Sequence, residues 1–431
     1  MFEPMLLNEG KTNKHLFWIV PFICLFFYFD WIKPGHKSID FEPHLNYFRD
    51  LANAFLHGHL DVTNTLNDRD LVHYNNKLYL YWPPMPALVY TPLVALFGPQ
   101  LPDAFINVLF GLLNIWLFMR IVHRLNQQFN LNLNNQHLLW MGFFWGLGTV
   151  HFYMSMEGTV WFVSQIMAQT FLFSSVLLLL KSRDKVVPLL VSGLFFAAAA
   201  YTRNNMVFAV FFLACLYLAM HSKLSWKQGL SKAFVFGLPF VFFSLLNAWY
   251  NYARFGNYFE NGIQYHLMNP YFYENFKQHG YFSTYYLSHN FYTEVVHMPS
   301  IYSSFPFIQK EEEGFGFIWG SPLFLLLIPA AVLQLLTYRN GLNVNVMIVS
   351  QRMVRVGCWL AAVPIAFVIF CIMGTGWYQF CARYTLDFQF FLVVYLLFSW
   401  QVLATIPKIK WITFTLILAS IVIQFLGAWM Y

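Results

Sequence analysis

The sequence predicts an all-α polytopic membrane protein with about eleven transmembrane helices, and juxtamembrane helices in a long first outer loop. Hydrophobic residues make up 58% of the 431 residues, aromatic residues 21% and charged residues only 10%. No soluble domain of this length could cover so much apolar surface with so little charge. The apolar runs are about 17–22 residues long, which suits helices, because a helix satisfies its own backbone hydrogen bonds in hydrocarbon.

Eleven apolar runs are predicted to span the bilayer, within one membrane-integral domain that covers residues 1–431. The first run lacks a small-residue cleavage site, so it is predicted to be a spanning helix and not a cleavable signal peptide. Two long outer segments separate these runs, at residues 33–102 and 251–315. The predicted spanning segments are 16–32, 103–121, 137–155, 158–180, 186–202, 205–221, 231–250, 316–337, 356–374, 385–404 and 411–430.

A further apolar run, from Pro83 to Phe97, is predicted to lie in the membrane interface. If it crossed, the basic residues Arg120, Arg124 and Lys181 would fall on the outer side, against the positive-inside tendency. With this run in the interface, 15 basic and 3 acidic residues lie on one side and 10 basic and 16 acidic residues on the other. The N-terminus is therefore predicted to be cytoplasmic. The net charge of +6 signals orientation, and nucleic acid is not a predicted partner.

The stretch from Ser38 to Pro86 concentrates acidic residues. Asp40 precedes an apolar repeat at helical spacing that ends at Gly58, a pattern typical of an amphipathic helix on the bilayer. A carboxylate beside the positive end of that helix stays ionised and could act as a general base. The same position suits an N-cap, and spacing alone favours the cap. The six acids are Asp40, Glu42, Asp50, Asp61, Asp68 and Asp70.

Three arginines in polar contexts near predicted helix ends are candidates for binding phosphate, because the planar guanidinium grips two oxygens. Arg203 lies between two apolar helices, where the alternative is an interfacial arginine that reaches water. Arg383 precedes Asp387 by four residues, so an ion pair along the helix is the alternative there. Arg254 is a weaker case of the same kind.

The second outer segment is rich in Tyr, Phe, Asn and His. This mixture suits sugar binding and equally suits an interfacial aromatic belt. From the two outer segments, Tyr47, Tyr81 and His266 are predicted to contact substrate.

Metal binding and cofactors are not supported by the sequence. The histidines show no zinc-binding spacing. A divalent cation held by His57, His59 and Asp61 is the alternative that the sequence leaves open. The five cysteines are scattered and are interpreted as packing residues.

The segments quoted above resemble those of the membrane-integral C-type (GT-C) glycosyltransferases, which include protein O-mannosyltransferases and lipid A aminoarabinose transferases. Asp40–Tyr47 is similar to the family's catalytic first loop, and Tyr81-Trp-Pro-Pro-Met-Pro to its proline-opened juxtamembrane helix. Tyr201-Thr-Arg-Asn resembles the phosphate motif, with Arg203 in place of the usual lysine. Phe41 separates two acids that are adjacent in the family, so either could be the base.

The resemblance implies transfer of a hexosyl or pentosyl group, with inversion, from a polyprenyl-phosphate-linked donor to a lipid, glycan or protein acceptor on the outer face. Asp40 would be the general base with Glu42 as the alternative, and Arg203, Arg383 and Arg254 would bind the donor phosphate. The remaining four acids of the first loop are then expected to be surface or structural groups. The expected location is a bacterial inner membrane, with glycan biosynthesis for the cell envelope as the setting. A lipid-linked sugar flippase or transporter and a non-catalytic membrane scaffold are the alternatives.

Overall fold

The computed structural model describes residues 14–30, 47–62, 68, 70–182, 185–221, 223–339, 346–376 and 379–429. Asp40 and Glu42 lie outside the described residues, so their proposed catalytic roles stay predictions.

The described residues form a helical bundle with one small hairpin of strands. The α-helices are α1 (Leu16–Asp30), α2 (Tyr47–Leu56), α3 (Met85–Phe97), α4 (Asp103–Phe129), α5 (Asn135–Leu147), α6 (His151–Met156), α7 (Val160–Lys181), α8 (Val186–Ala200), α9 (Ala209–Met220), α10 (Trp226–Phe255), α11 (Pro270–His279), α12 (Leu287–Phe291), α13 (Phe317–Gly320), α14 (Leu327–Arg339), α15 (Val346–Phe370), α16 (Leu386–Leu403) and α17 (Ile409–Ala428). Strands β1 (Val72–Tyr74) and β2 (Lys77–Tyr79) pair antiparallel.

Six helical segments within the described residues are long and apolar enough to cross a bilayer. They belong to α4, α7, α10, α15, α16 and α17. Shorter apolar helical segments cover Leu16–Tyr28, Met85–Phe97, Val186–Ala200, Asn204–Met220 and Pro322–Thr337. The predicted all-α membrane fold is confirmed, whereas the count of eleven spanning helices is not.

Two of the predicted spanning runs are interrupted. The run 137–155 divides into α5 and α6 around Gly148, whose carbonyl accepts a hydrogen bond from Ser321 Oγ at 2.8 Å. The run 316–337 divides at that same Ser321, which precedes Pro322 and a 3-10 turn. Proline has no N–H to donate, so α13 cannot continue through it. The two breaks therefore face each other and share a hydrogen bond.

The centre of the bundle is α7 and α16, whose side chains are buried around almost the whole helix. Polar side chains join these helices to their neighbours. Asn114 Nδ2 donates to the Ile166 carbonyl at 2.9 Å, and Gln169 Nε2 donates to the Leu386 carbonyl at 3.0 Å. Such interhelical hydrogen bonds hold helices together where the surroundings provide no hydrophobic driving force. They make a fixed base for the start of α16.

The two long loops form a layer over the end of the bundle where α16 begins. Val72 of β1 makes an isolated antiparallel bridge to His266, and Leu267 N donates to the Leu71 carbonyl at 2.8 Å. Below the hairpin, α2 packs on α3. At 13 residues, α3 is about 20 Å long, and its predicted position in the interface stays a prediction.

Candidate functional site

A cavity of about 1090 Å³ lies between this loop layer and the bundle. Its lining residues come from distant parts of the chain: Asp68, Asp70, residues 81–83, Trp161, residues 202–205, and parts of 261–282, 368–376 and 383–384. Four of the predicted site residues line it, namely Tyr81, Arg203, His266 and Arg383. The cavity therefore brings together residues from both long loops and from two helix starts.

Arg203 is fixed by an ion pair at the floor of the cavity. Its Nε and Nη2 atoms both lie 2.7 Å from Oδ2 of Asp387. Asn205 donates to the same oxygen at 2.7 Å, and Gln165 donates to Oδ1 at 3.2 Å. Asp387 is fully buried, whereas 13% of the Arg203 side chain is exposed. Asp387 therefore holds one edge of the guanidinium, and the exposed part of Arg203 faces the cavity.

Arg383 lies in a 3-10 turn just before α16. Its guanidinium carbon is 5.1 Å from the ring centre of Tyr384 and 5.3 Å from that of Phe162. A Cβ at Gly376, whose φ is +91°, would lie 3.1 Å from that carbon. A glycine at this position lets the loop pass directly against the arginine.

Tyr384 links the two arginines. The guanidinium of Arg203 lies 5.7 Å from its ring centre, on the same ring that Arg383 approaches. Cation–π contacts of this length orient guanidinium groups. Sequence reasoning did not assign this residue, although its place next to Arg383 was a possible signal.

Glu294 is a buried carboxylate near the arginines that sequence reasoning also missed. It lies in a π-helical turn, Tyr292–Val296, and is 0% exposed. Neither carboxylate oxygen has a hydrogen-bond partner among the described residues. Burial raises the pKa of Glu294 well above its usual value, while the nearby charge of Arg383 acts in the opposite direction. The only sequence signal was a single acid within an aromatic loop.

A second group of polar residues comes from the loop layer. His266 Nε2 lies 3.5 Å from Oδ1 of Asp70. Burial lowers the pKa of His266 to about 4, so the imidazole is neutral near neutral pH. Asp68 also lines the cavity. Asp68 and Asp70 were expected to be surface or structural groups, and the structure places both in the cavity wall.

Tyr81 supplies an aromatic surface beside this pair. Its ring stacks on Trp82 with centres 3.8 Å apart, and it makes a T-shaped contact with the His266 ring, with centres 4.8 Å apart. Its hydroxyl is hydrogen-bonded to that of Tyr281, another lining residue, and burial raises the pKa of both phenols.

Two predicted site residues do not line the cavity. Arg254 donates from Nη1 to the Leu80 carbonyl at 2.6 Å and from Nη2 to Asn251 Oδ1 at 2.9 Å. Its contacts hold the residue directly before Tyr81. Tyr47 is fully buried at the start of α2.

Two of the three residues considered for a cation site in the first loop, His57 and Asp61, make other contacts. His57 Nδ1 is hydrogen-bonded to the Asn53 carbonyl at 2.8 Å, and Asp61 pairs with Lys77 at 3.1 Å. Within the part of the chain that the structure describes, no three His, Cys, Asp or Glu side chains are grouped to hold a metal ion.

The architecture matches a solved membrane enzyme. The crystal structure of Archaeoglobus fulgidus oligosaccharyltransferase, tethered with an acceptor peptide that contains the NVT sequon, aligns with 97% of this chain at a TM-score of 0.53 and 12% identity. Its apo form aligns with 98% at a TM-score of 0.53 and 11% identity. The chain shares the fold of the part of this oligosaccharyltransferase that it aligns with.

The match is one of fold. This chain spans 56% and 57% of the length of the two oligosaccharyltransferase chains, which is little more than half. No protein-family model and no curated protein sequence matches it. The predicted resemblance is confirmed at the level of architecture, and substrates and partners remain to be proposed.

Proposed function

We propose that this protein transfers a sugar, with inversion, from a polyprenyl-phosphate-linked donor to an acceptor on the outer face of a bacterial inner membrane. The observation that carries the proposal is the convergence of Arg203 and Arg383 on one cavity in this fold. Both are held by neighbouring side chains, so they need little reorganisation when negative charge develops nearby.

The proposed reaction uses one base and a cationic phosphate site. Asp40, or Glu42 in its place, accepts the proton of the acceptor's nucleophilic group as that group bonds to the anomeric carbon. The bond from that carbon to the phosphate oxygen breaks, and the lipid phosphate leaves with its additional charge beside Arg203 and Arg383. Their donors can bind two phosphate oxygens.

The other predicted binding residues have different roles in this proposal. Tyr81 contacts substrate from the cavity wall, whereas His266 contributes as the buried neighbour of Asp70. Arg254 and Tyr47 support the wall from behind, since Arg254 holds the backbone next to Tyr81. This differs from the expected phosphate contact of Arg254, and it predicts that the donor KM is insensitive to that residue.

The test is a transfer assay with purified protein in liposomes and labelled polyprenyl-phosphate sugars. A general base contributes roughly 10²–10⁴ in rate, so Asp40→Asn should lower kcat by that factor while the Tm stays unchanged. Glu42→Gln is the matched variant, and the larger loss identifies the base. Arg203→Leu should raise the donor KM, whereas Arg254→Leu should leave it unchanged.

Two outcomes would overturn the proposal. A near-normal kcat in both Asp40→Asn and Glu42→Gln would show that neither carboxylate is the general base. If the wild-type protein transfers no sugar from any of the labelled polyprenyl-phosphate donors, the proposed reaction is wrong and the scaffold interpretation stands. If the labelled lipid then crosses the liposome membrane, the flippase interpretation stands instead.

A further inference from the structure

The cavity has two chemically different groups of polar residues. Arg203 and Arg383 provide positive charge, whereas Asp68 and Asp70 provide negative charge. Tyr281 lies within electrostatic range of both groups, because the charge of Arg203 lowers its pKa while that of Asp70 raises it. A ligand that fills the cavity therefore meets cations with one part and carboxylates with another.

Asp70 is held in place more firmly than an ordinary loop acid. The backbone next to it is tied to the second loop by the Val72–His266 bridge and by the Leu71–Leu267 hydrogen bond. Asp70 itself has φ of +60°, an uncommon conformation that aspartate tolerates better than most residues. The His266 side chain is only 4% exposed while the Asp70 side chain is 27% exposed. The His266 ring is thus a buried packing neighbour of Asp70, with Nε2 close to the carboxylate but not hydrogen-bonded to it. Asp70 is the group that a ligand can reach.

The aromatic wall next to this pair suits a sugar ring. A sugar presents C–H groups on its faces and hydroxyls at its edge. The stacked Tyr81 and Trp82 offer an apolar ring surface, and carboxylates accept short, strong hydrogen bonds from hydroxyls. Asn261, Gln264 and Asn269 also line the cavity.

The hairpin gives little opportunity for a peptide. Extended peptides commonly bind by adding a strand to a free sheet edge. Here β1 pairs with β2 on one side and with His266 on the other. The Leu78 carbonyl of β2 accepts a hydrogen bond from Val62 N at 2.8 Å. The ladder positions nearest the cavity are already occupied.

We infer that Asp70, positioned by His266 and flanked by the Tyr81–Trp82 pair, binds a sugar hydroxyl of the acceptor, so that the acceptor is a glycan. This inference rests on the proposed transfer reaction and specifies its second substrate. The two carboxylates also make the site unfavourable for an acceptor that carries its own negative charge there.

Kinetics with a neutral oligosaccharide acceptor would test the role of Asp70. Loss of one charge-assisted hydrogen bond should raise the acceptor KM in Asp70→Asn by about 10- to 100-fold, with the donor KM unchanged. Asparagine also tolerates positive φ, so the loop should keep its conformation. Glu274→Gln, an exposed acid on α11 outside the cavity wall, should behave as wild type.

The role of His266 is tested by comparing a polar and an apolar substitution at this position. His266→Gln keeps an N–H that can reach Asp70 and should retain most of the acceptor affinity. His266→Leu should resemble Asp70→Asn. An unchanged acceptor KM in Asp70→Asn, or equal effects of the two His266 variants, would contradict the assignment.

The glycan inference and the proposed transfer reaction can be tested separately. If peptides serve as acceptors and oligosaccharides do not, the glycan inference is wrong while sugar transfer stands. Calorimetric binding of the oligosaccharide, without donor, gives a readout that needs no turnover. Binding that Asp70→Asn weakens would support the glycan site even if no transfer occurred, and absence of binding together with absence of oligosaccharide transfer would overturn it.

Discussion

At the scale of single residues, the site is governed by buried charge. Arg203 forms an ion pair with the buried carboxylate of Asp387 at 2.7 Å. Among nearby charges, Arg383 stabilises the ionised form of Glu294 most strongly. The buried carboxylate oxygens of Glu294 have no hydrogen-bond partner among the described residues. A buried ionised carboxylate without hydrogen bonds is costly, so this environment favours the protonated form of Glu294.

The stability of the protein should therefore depend on pH through Glu294. The folded-state pKa of Glu294 is raised above its ordinary value of 4.5. Its contribution to stability is therefore full below that value and is lost as the pH rises towards the higher folded pKa. Each pH unit in that window costs up to roughly 1.4 kcal/mol. Glu294→Gln should reduce the fall in Tm between about pH 5 and about pH 8.

The measurement is a thermal unfolding series in detergent across that pH range. Glu274→Gln is the control, because Glu274 is exposed and should not alter the wild-type slope. Parallel Tm curves for the wild type and Glu294→Gln would show that Glu294 is ionised in the folded protein.

At the scale of elements, α10 packs mainly on α8 and leaves most of its surface exposed. Few of its residues are buried, and most of its apolar side chains face outward. It packs against α8, where a Cβ on Gly193 would lie 2.0 Å from the Phe236 carbonyl oxygen. Small residues allow such close helix approach in membranes. Gly193 therefore determines how closely α10 can approach.

Alanine at this glycine should separate the two helices. Gly193→Ala forces the Phe236 backbone to move, and overpacking of this kind costs about 1–3 kcal/mol. The expected result is a lower Tm in detergent. Gly237→Ala is a matched control in α10 itself, since nothing lies within 4 Å of its Cβ position.

In that control, replacing a glycine in a helix interior by alanine should stabilise the protein by up to about 1 kcal/mol. The Tm of Gly237→Ala should therefore be unchanged or higher. Equal Tm values for Gly193→Ala and Gly237→Ala would mean that the α8–α10 contact does not hold α10 in place.

At the scale of the whole molecule, the sequence predicted which segments are helical and which loops carry polar residues. Apolar run length and charge bias are local properties, and they were sufficient for this. The partner of Asp387 was not predictable in the same way. The expected helical neighbour was Arg383, whereas the observed partner Arg203 is 184 positions away.

The same distinction explains the missed site residues. Glu294 and Asp70 acquire their roles from segments that meet only in the folded chain, through a π-helical turn and a bridge between two loops. Arg203 and Arg383 were identifiable because a cation in a polar context near the end of an apolar helix is locally unusual. Asp40 was identified by resemblance, and its role remains a prediction.

The orientation of the molecule in the membrane can be read from the two ends of α10. α10 has 30 residues and is about 45 Å long, enough to span the ~30 Å core. Lys227 lies at its start and Gln278 lies in the loop layer beyond its end, and both are exposed. The charge bias predicts that the basic end faces the cytoplasm.

Cysteine labelling of right-side-out membrane vesicles can decide this orientation. An impermeant maleimide should label Gln278→Cys directly and Lys227→Cys only after the membrane is opened. The parent chain is the control, because four of its five cysteines are buried and Cys215 is half-buried. The reverse labelling pattern would invert the topology and place the cavity, with Arg203 and Arg383, on the cytoplasmic side. Labelling of both positions in closed vesicles would mean that α10 does not span the bilayer.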